Sequence, residues 1–270
     1  MDERFLAAAV QLNSSEDKVA NLRQTTEFVA QAAERGARLV ALPEMFNCIG
    51  HFDVVVKNAE PIPGPTTDAI QELARRWSIV ILAGSIAEKS PQASKAYNTS
   101  VLYSAGGELL ARYRKVHLFD INLPNRVHVT ESNWIIPGDR AVTADMGFGR
   151  AGLSICYDLR FPEFYRRLAD QRADVIFAPA AFTSATGRDH WETLVRARAI
   201  ENQAFVIAPN QCGQHADGLQ TYGNSMIVGP WGNVLARATD QEGIVCAEID
   251  MRALQQIRTQ LPALNHRRGL

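Results

Sequence analysis

The sequence predicts an α+β chain in which mixed β-sheets form a sandwich covered by helices. Three observations carry this. Short apolar runs of strand character alternate with segments of helical period. Hairpin signals interrupt that alternation, and a doubly wound, all-parallel sheet would not need them. Finally, 270 residues, 46% of them hydrophobic and 21% charged, suffice for the core of one domain over residues 1–270.

Taken in order, residues 5–11 form a first apolar strand. Asn13, Ser14 and Ser15 supply capping groups, and Val19, Leu22, Val29 and Ala33 follow at near-helical spacing up to Gly36. Residues 38–42 are a second buried strand that stops at Pro43-Glu44. Pro61 to Pro65 is a rigid connection, followed by a helix over 68–76 and a third strand over 79–85. Strands at 98–104 and 108–113 flank the turn Ala105-Gly106-Gly107, a hairpin signal, and deliver Lys115 at the hairpin exit.

Residues 121–140 lack periodicity. A loop of that length inside a compact domain is usually functional, often a lid, and it carries Glu131. A hairpin over 141–155 turns at Gly147-Phe148-Gly149 and ends at Cys156, and a helix follows over 162–168. Next come a strand at 174–179, a Gly/Ser/Thr loop at 180–189 and a helix at 190–202. Strands follow at 204–208, at 226–228 with 234–238 as a hairpin, and at 243–249. A helix over 251–261 precedes a basic tail, His266-Arg267-Arg268, expected to pack on a surface or a partner subunit.

Composition excludes several function classes. A net charge of −1 gives no electrostatic case for nucleic acid or an anionic membrane. No apolar run is long enough to span a bilayer, and Met1-Asp2-Glu3-Arg4 does not resemble the start of a signal peptide. Cys48, Cys156, Cys212 and Cys246 are widely spaced, which argues against disulfides or zinc and for a reducing cytoplasm. The histidines show no metal-ligand spacing, so neither metal nor cofactor is expected.

Chemistry concentrates at strand ends. Glu44, Lys115 and Cys156 each follow an apolar strand, and strand ends gather into one crevice. At a strand-to-helix junction Cys156 stands clear of the sheet, with backbone N–H groups aimed at it, as suits a nucleophile. The alternative is a buried structural cysteine. If the three groups meet, the sulfur attacks an amide carbon and Glu44 takes its proton. Lys115 and the Tyr157 N–H then stabilise the oxyanion. His117 raises a competing Cys–His hydrolase of papain type, but the local papain signature is absent.

The segments Leu42-Pro43-Glu44-Met45-Phe46, Tyr113-Arg114-Lys115-Val116-His117-Leu118 and Ser154-Ile155-Cys156-Tyr157-Asp158-Leu159-Arg160-Phe161-Pro162-Glu163 resemble the signature blocks of the nitrilase superfamily of carbon–nitrogen hydrolases. The blocks occur in order and the resemblance spans nearly the whole chain. It implies a four-layer α-β-β-α sandwich of two mixed sheets flanked by helices, which dimerises. It also implies a Glu44–Lys115–Cys156 triad and a second glutamate that helps position substrate, matched by Glu131. The C-terminal half, through His190 to Glu201, Asn210-Gln211-Cys212-Gly213 and Leu261 to Arg268, looks like the deaminated-glutathione amidase branch. Sister ω-amidases, nitrilases and N-carbamoyl amidohydrolases are the alternatives within the superfamily, and a silent scaffold on the same fold is the alternative outside catalysis.

On that reading the substrate is a small amide with an α-keto acid end. Arg160 would hold its carboxylate in a bidentate contact, unless it only braces the Cys156 helix against Glu163. Phe182 and Thr183, just after a strand end, would line the pocket or belong to an ordinary loop. Cys212 is expected to be structural, Trp231 a packing residue, and Arg196 and Arg198 salt-bridge partners.

Overall fold

The computed structural model describes residues 4–124, 127–216 and 218–268. Strand β1 (Arg4–Gln11), helix α1 (Lys18–Glu34) and strand β2 (Ala37–Ala41) open the chain. The Asp17 carboxylate accepts hydrogen bonds from the Val19 and Ala20 amides and satisfies donors that the first turn of α1 leaves free. Helices α2 (Phe52–Lys57) and α3 (Pro65–Trp77) precede strands β3 (Val80–Lys89), β4 (Ala96–Tyr103) and β5 (Leu109–Arg114). A ribbon of β6 (Asp120–Leu123) and β7 (Val127–Thr130) leads into a 3-10 turn at Glu131–Asn133.

The second half begins with β8 (Val142–Asp145), β9 (Arg150–Leu153), the 3-10 turn Cys156–Arg160, helix α4 (Pro162–Asp170) and β10 (Val175–Phe177). Helix α5 (Ser184–Asn202), β11 (Phe205–Ala208), the short pair β12 (Cys212–Gln214) and β13 (Gln220–Tyr222), and the hairpin β14 (Met226–Val228) and β15 (Val234–Arg237) follow. Strand β16 (Gly243–Asp250) and helix α6 (Met251–Gln260) come last.

Two six-stranded sheets result, in the orders β16-β1-β2-β3-β4-β5 and β15-β14-β11-β10-β9-β8. Each has a parallel centre, β1-β2-β3 in one and β9-β10-β11 in the other, with antiparallel strands outside it. Period-two alternation separates the layers. Ala7, Ala9, Leu39, Ala41, Val80 and Leu82 face Ala151, Leu153, Val175 and Phe177 of the other sheet. Their neighbours Ala8, Val10, Val40 and Ile81 pack under Val29 and Ala32 of α1 and Ile70 and Leu73 of α3. Helices α4 and α5 cover the far face of the second sheet through Phe164, Leu168, Trp191 and Val195. The order is α-β-β-α, and every central strand is buried on both faces. Each Val, Leu, Ile or Phe among them contributes about 1.5–3 kcal/mol of burial.

The structure adds detail where periodicity was weak. Residues 121–140 are not all loop, because β6 and β7 pair across them. The expected loop at 180–189 is mostly helix, since α5 starts at Ser184. Tyr222 lies where a Cβ on Gly187 would stand, so packing against β13 holds this turn despite poor helix formers. Trp231 does not pack; it is 65% exposed at the β14–β15 turn. The basic tail packs on its own chain, where Arg267 pairs with Asp170 of α4.

Candidate active site

Glu44, Lys115, Glu131 and Cys156 meet where ends of the two sheets face each other. All four are at most 7% exposed. Glu44 leaves β2 across Pro43, against the irregularity in β3 between Ala83 and Ile86. There the Ser85 N–H donates to the Pro43 carbonyl (3.3 Å) and the Met45 N–H donates to Ser85 Oγ (3.1 Å). Gly84 permits this approach: a Cβ on it would stand 1.9 Å from the Pro43 oxygen. Lys115 follows β5, its N–H donating to the Asn98 carbonyl and its own carbonyl accepting from Gly138, each at 2.8 Å.

Cys156 ends the β9 segment. Its N–H donates to the Pro179 carbonyl (2.9 Å) and its φ is +46°. That left-handed conformation strains a non-glycine residue. Met45, next to Glu44, has φ +52°. Asp158 holds the Cys156 turn: its carboxylate accepts from the Ile155 N–H (2.8 Å), the Tyr113 hydroxyl (2.6 Å) and the His117 N–H (3.1 Å). The Cys156 turn is thereby tied to the strand that delivers Lys115.

Lys115 Nζ donates to Glu44 Oε1 (2.9 Å) and to both Glu131 oxygens (3.1 and 2.9 Å). Asn98 Nδ2 donates to Glu44 Oε1 (2.8 Å), the Ala181 N–H to Glu44 Oε2 (2.8 Å) and the Phe119 N–H to Glu131 Oε2 (2.6 Å). Burial alone would discharge Lys115, yet the charges of Glu131, Glu44 and Cys156 outweigh it and hold its pKa well above the ordinary lysine range. Burial, reinforced by Glu44, raises the Glu131 carboxyl against the opposing pull of Lys115. Burial and then the Glu44 charge push the Cys156 thiol well up, while Lys115 opposes them. At neutral pH the sulfur therefore keeps its proton beside a base.

An inner chamber of about 80 Å³ is lined by these four residues with Asn98, Phe119 and Ala181. It shares Phe52, Val129 and Leu219 with an outer cleft of about 1030 Å³. Among the described residues no group of three or more His, Cys, Asp or Glu side chains is arranged to hold a metal ion.

Residues 6–259 match the carbon-nitrogen hydrolase family. The chain belongs to that family. It is 45% identical over 266 residues to the deaminated glutathione amidase of Synechocystis, covering 97% of this chain and 98% of that protein. It is 39% identical over 265 residues to the human omega-amidase, covering 98% and 95%. The crystal structure of the Caenorhabditis elegans NitFhit protein superposes with a TM-score of 0.90 at 36% identity; the match covers 98% of this chain and 65% of that longer one. This carbon-nitrogen hydrolase is an enzyme of the amidase type.

The remaining anticipated residues of the hydrolase lie around the chamber rather than in its wall. The Tyr157 N–H sits in the first turn after Cys156, where helical donors lack internal partners, and its ring packs edge-on against Phe119 and Phe161. Arg160 is not braced against Glu163. Its guanidinium lies over the rings of Phe182 (5.3 Å) and Tyr157 (5.8 Å), with one nitrogen 3.3 Å from His190 Nδ1. Phe182 packs on Trp191, and the Thr183 hydroxyl bonds that of Thr186 (3.1 Å). His117 is engaged elsewhere: Nδ1 lies 2.7 Å from Asp158 and the ring stacks on Phe161. Arg196 pairs with Glu192 and Arg198 with Glu201.

Sequence reasoning missed Asn98 and the Ala181 and Phe119 amides. Asn98 had a signal, a polar amide inside an otherwise buried strand. The two backbone donors had none.

Proposed function

We propose that the chain, as one carbon-nitrogen hydrolase domain over residues 1–270, hydrolyses the amide of deaminated glutathione with Glu44, Lys115 and Cys156 as its triad. The observation that carries this is the Cys156 sulfur buried beside the Glu44 carboxylate, with Lys115 Nζ hydrogen-bonded to both Glu44 and Glu131. As Cys156 Sγ bonds to the amide carbon, its proton passes to Glu44. The carbonyl oxygen takes the negative charge and is met by Lys115 Nζ and the Tyr157 N–H. The C–N bond breaks as Glu44 gives that proton to the departing cysteinylglycine amine. Glu44 then takes a proton from water, whose oxygen attacks the thioester. Collapse releases the keto acid, and the proton returns to sulfur.

Glu131 positions Lys115 without exchanging protons with substrate. Arg160, which ion-pairs with no carboxylate among the described residues, holds the α-keto acid carboxylate, with Phe182 and Thr183 shaping the wall behind it. No cofactor takes part. The second reading, an ω-amidase on α-ketoglutaramate, rests on the 39% identical human relative. The outer cleft favours the longer substrate, because released ammonia would leave it empty.

We place the enzyme in the cytoplasm, since all four cysteines are free, and no described helix is long and apolar enough to cross a membrane. Ile200, Trp231 and Leu235, 51%, 65% and 38% exposed, support a homodimer, because Ile200 lies against the turn that carries Trp231 and single-chain solvation of such a cluster is unfavourable.

The test is turnover of deaminated glutathione, α-ketoglutaramate, a nitrile and an N-carbamoyl amino acid, with Cys156→Ala as the blank. Cysteinylglycine release above the other reactions is expected, and it falls by about 10⁴-fold or more in the variant, as for other nucleophile deletions. A preference for another substrate replaces the substrate assignment. Full activity of the variant overturns the mechanism.

A further inference from the structure

The outer cleft holds polar groups that the triad chemistry does not use. The inner chamber takes the reacting amide and little more, so with the keto-acid end held at Arg160 the leaving-amine side of a substrate extends past Phe52, Val129 and Leu219 into the cleft. There β7 contributes His128 and Thr130, the first turns of α5 contribute Ser184 and Arg188, and Gln220 closes the wall.

Arg188 is exposed and differs from the other arginines of its helix. Arg196 and Arg198 each pair with a glutamate. Arg188 ion-pairs with no carboxylate among the described residues. Its neighbour Asp189 also lines the cleft, but adjacent helical residues do not face each other. A guanidinium in a concave wall that also presents the Thr130 and Ser184 hydroxyls, the Gln220 amide, the His128 imidazole and the Asp189 carboxylate matches a carboxylate at the end of a short peptide-like chain.

We propose that Arg188 anchors a terminal carboxylate on the leaving-amine side of the substrate, making the outer cleft a second, anion-selective subsite. The inference rests on the amidase reading of the inner chamber. It assigns the cleft to amines that are small peptides with a free C-terminus.

The experiment compares deaminated glutathione with its C-terminal carboxamide in the wild type, Arg188→Ala and Arg188→Lys, and titrates cysteinylglycine into each protein by calorimetry. The wild type is expected to favour the free carboxylate through KM, with kcat alike for the two. Arg188→Ala removes that preference, raising KM for the carboxylate roughly fivefold to thirtyfold, between a screened pair and a well-formed charged hydrogen bond. Arg188→Lys restores part of it. Equal KM values for the two substrates in the wild type, or an equal KM rise for both in Arg188→Ala, overturn the subsite. If no hydrolysis occurs but cysteinylglycine binds in an Arg188-dependent way, the substrate assignment fails and the subsite stands. Loss of both fails both.

Discussion

The inner chamber and the outer cleft are built by opposite means. In the chamber every titratable group is buried, and three of them, Glu44, Lys115 and Cys156, follow strands of the two six-stranded sheets, while Glu131 follows the ribbon. Backbone donors from Ala181 and Phe119 fix the carboxylates, and two non-glycine residues, Met45 and Cys156, sit in left-handed conformations. In the cleft the polar groups stand on a two-stranded ribbon, the start of a helix and a short connection, and Arg188 and His128 are exposed. The chamber can fix reacting atoms to a fraction of an ångström because two packed sheets over-determine it. The cleft can change its side chains without disturbing either sheet. Chemistry and selectivity are thus placed on parts of the molecule with different tolerance.

The largest effect expected from breaking that contrast is at Lys115. Lys115→Met leaves Glu44 and Glu131 buried together without their cation. Loss of one partner from a buried charge cluster costs about 3–5 kcal/mol, and activity disappears with the oxyanion donor. The pH dependence also changes form. In the wild type the raised Lys115 pKa gives stability that is complete below the ordinary lysine value of 10.5 and is lost as pH rises through the raised value. In the variant Glu131 loses the group that pulls its pKa down, while burial and Glu44 still push it up. Its stabilising preference for the proton is complete below the ordinary value of 4.5 and fades as pH rises through the raised one. Thermal melts across pH should therefore show the variant most stable in acid and weakening toward neutrality. A variant that weakens in acid instead would refute the charge arrangement.

A second change acts on the chamber through the backbone alone. In Gly84→Ala the new Cβ would stand 1.9 Å from the Pro43 oxygen, so the Pro43-Glu44 exit must move. Displacing a reacting group by about 1 Å costs roughly 10²-fold in rate. The expected result is a fall in kcat of that order with little change in the affinity of cysteinylglycine, which the cleft holds. An unchanged kcat would show that the exit has room to spare.

The same contrast explains what the sequence disclosed. Glu44, Lys115 and Cys156 were legible because each ends an apolar run, and Glu131 only through the family resemblance of the short Thr130-Glu131-Ser132 segment. Both sheets were legible as strands, and three of their pairings as hairpins, though not the strand order that makes two sheets of six. The walls of the cleft come from Phe52, the β6–β7 ribbon, α5 and Gln220, far apart in the chain and on elements of weak local signal. The ribbon is short, α2 is brief, and α5 begins with Ser184, Thr186 and Gly187, poor helix formers held by Tyr222. No local pattern could join those segments, so a cleft larger than the chamber itself went unseen.

The smallest of these effects is expected at Asp158, which contacts neither region's contents but sets the spacing between two of the chamber's groups. Its Oδ2 accepts from the Ile155 N–H and the Tyr113 hydroxyl, and its Oδ1 from the His117 N–H. Tyr113 stays protonated and a donor, since burial and then the Asp158 charge hold its pKa well above the ordinary value. Asp158→Asn keeps the shape but offers one acceptor oxygen where there were two. Whichever way the amide turns, its NH₂ meets a donor, at a cost of about 1–3 kcal/mol. The loss should appear as a lower melting temperature. Because the Cys156 turn and the Lys115 strand share this carboxylate, kcat should fall while the carboxylate preference conferred by Arg188 persists. If that preference falls in step with kcat, the chamber and the cleft are not separately held, and the division between fixed chemistry and adjustable selectivity is wrong.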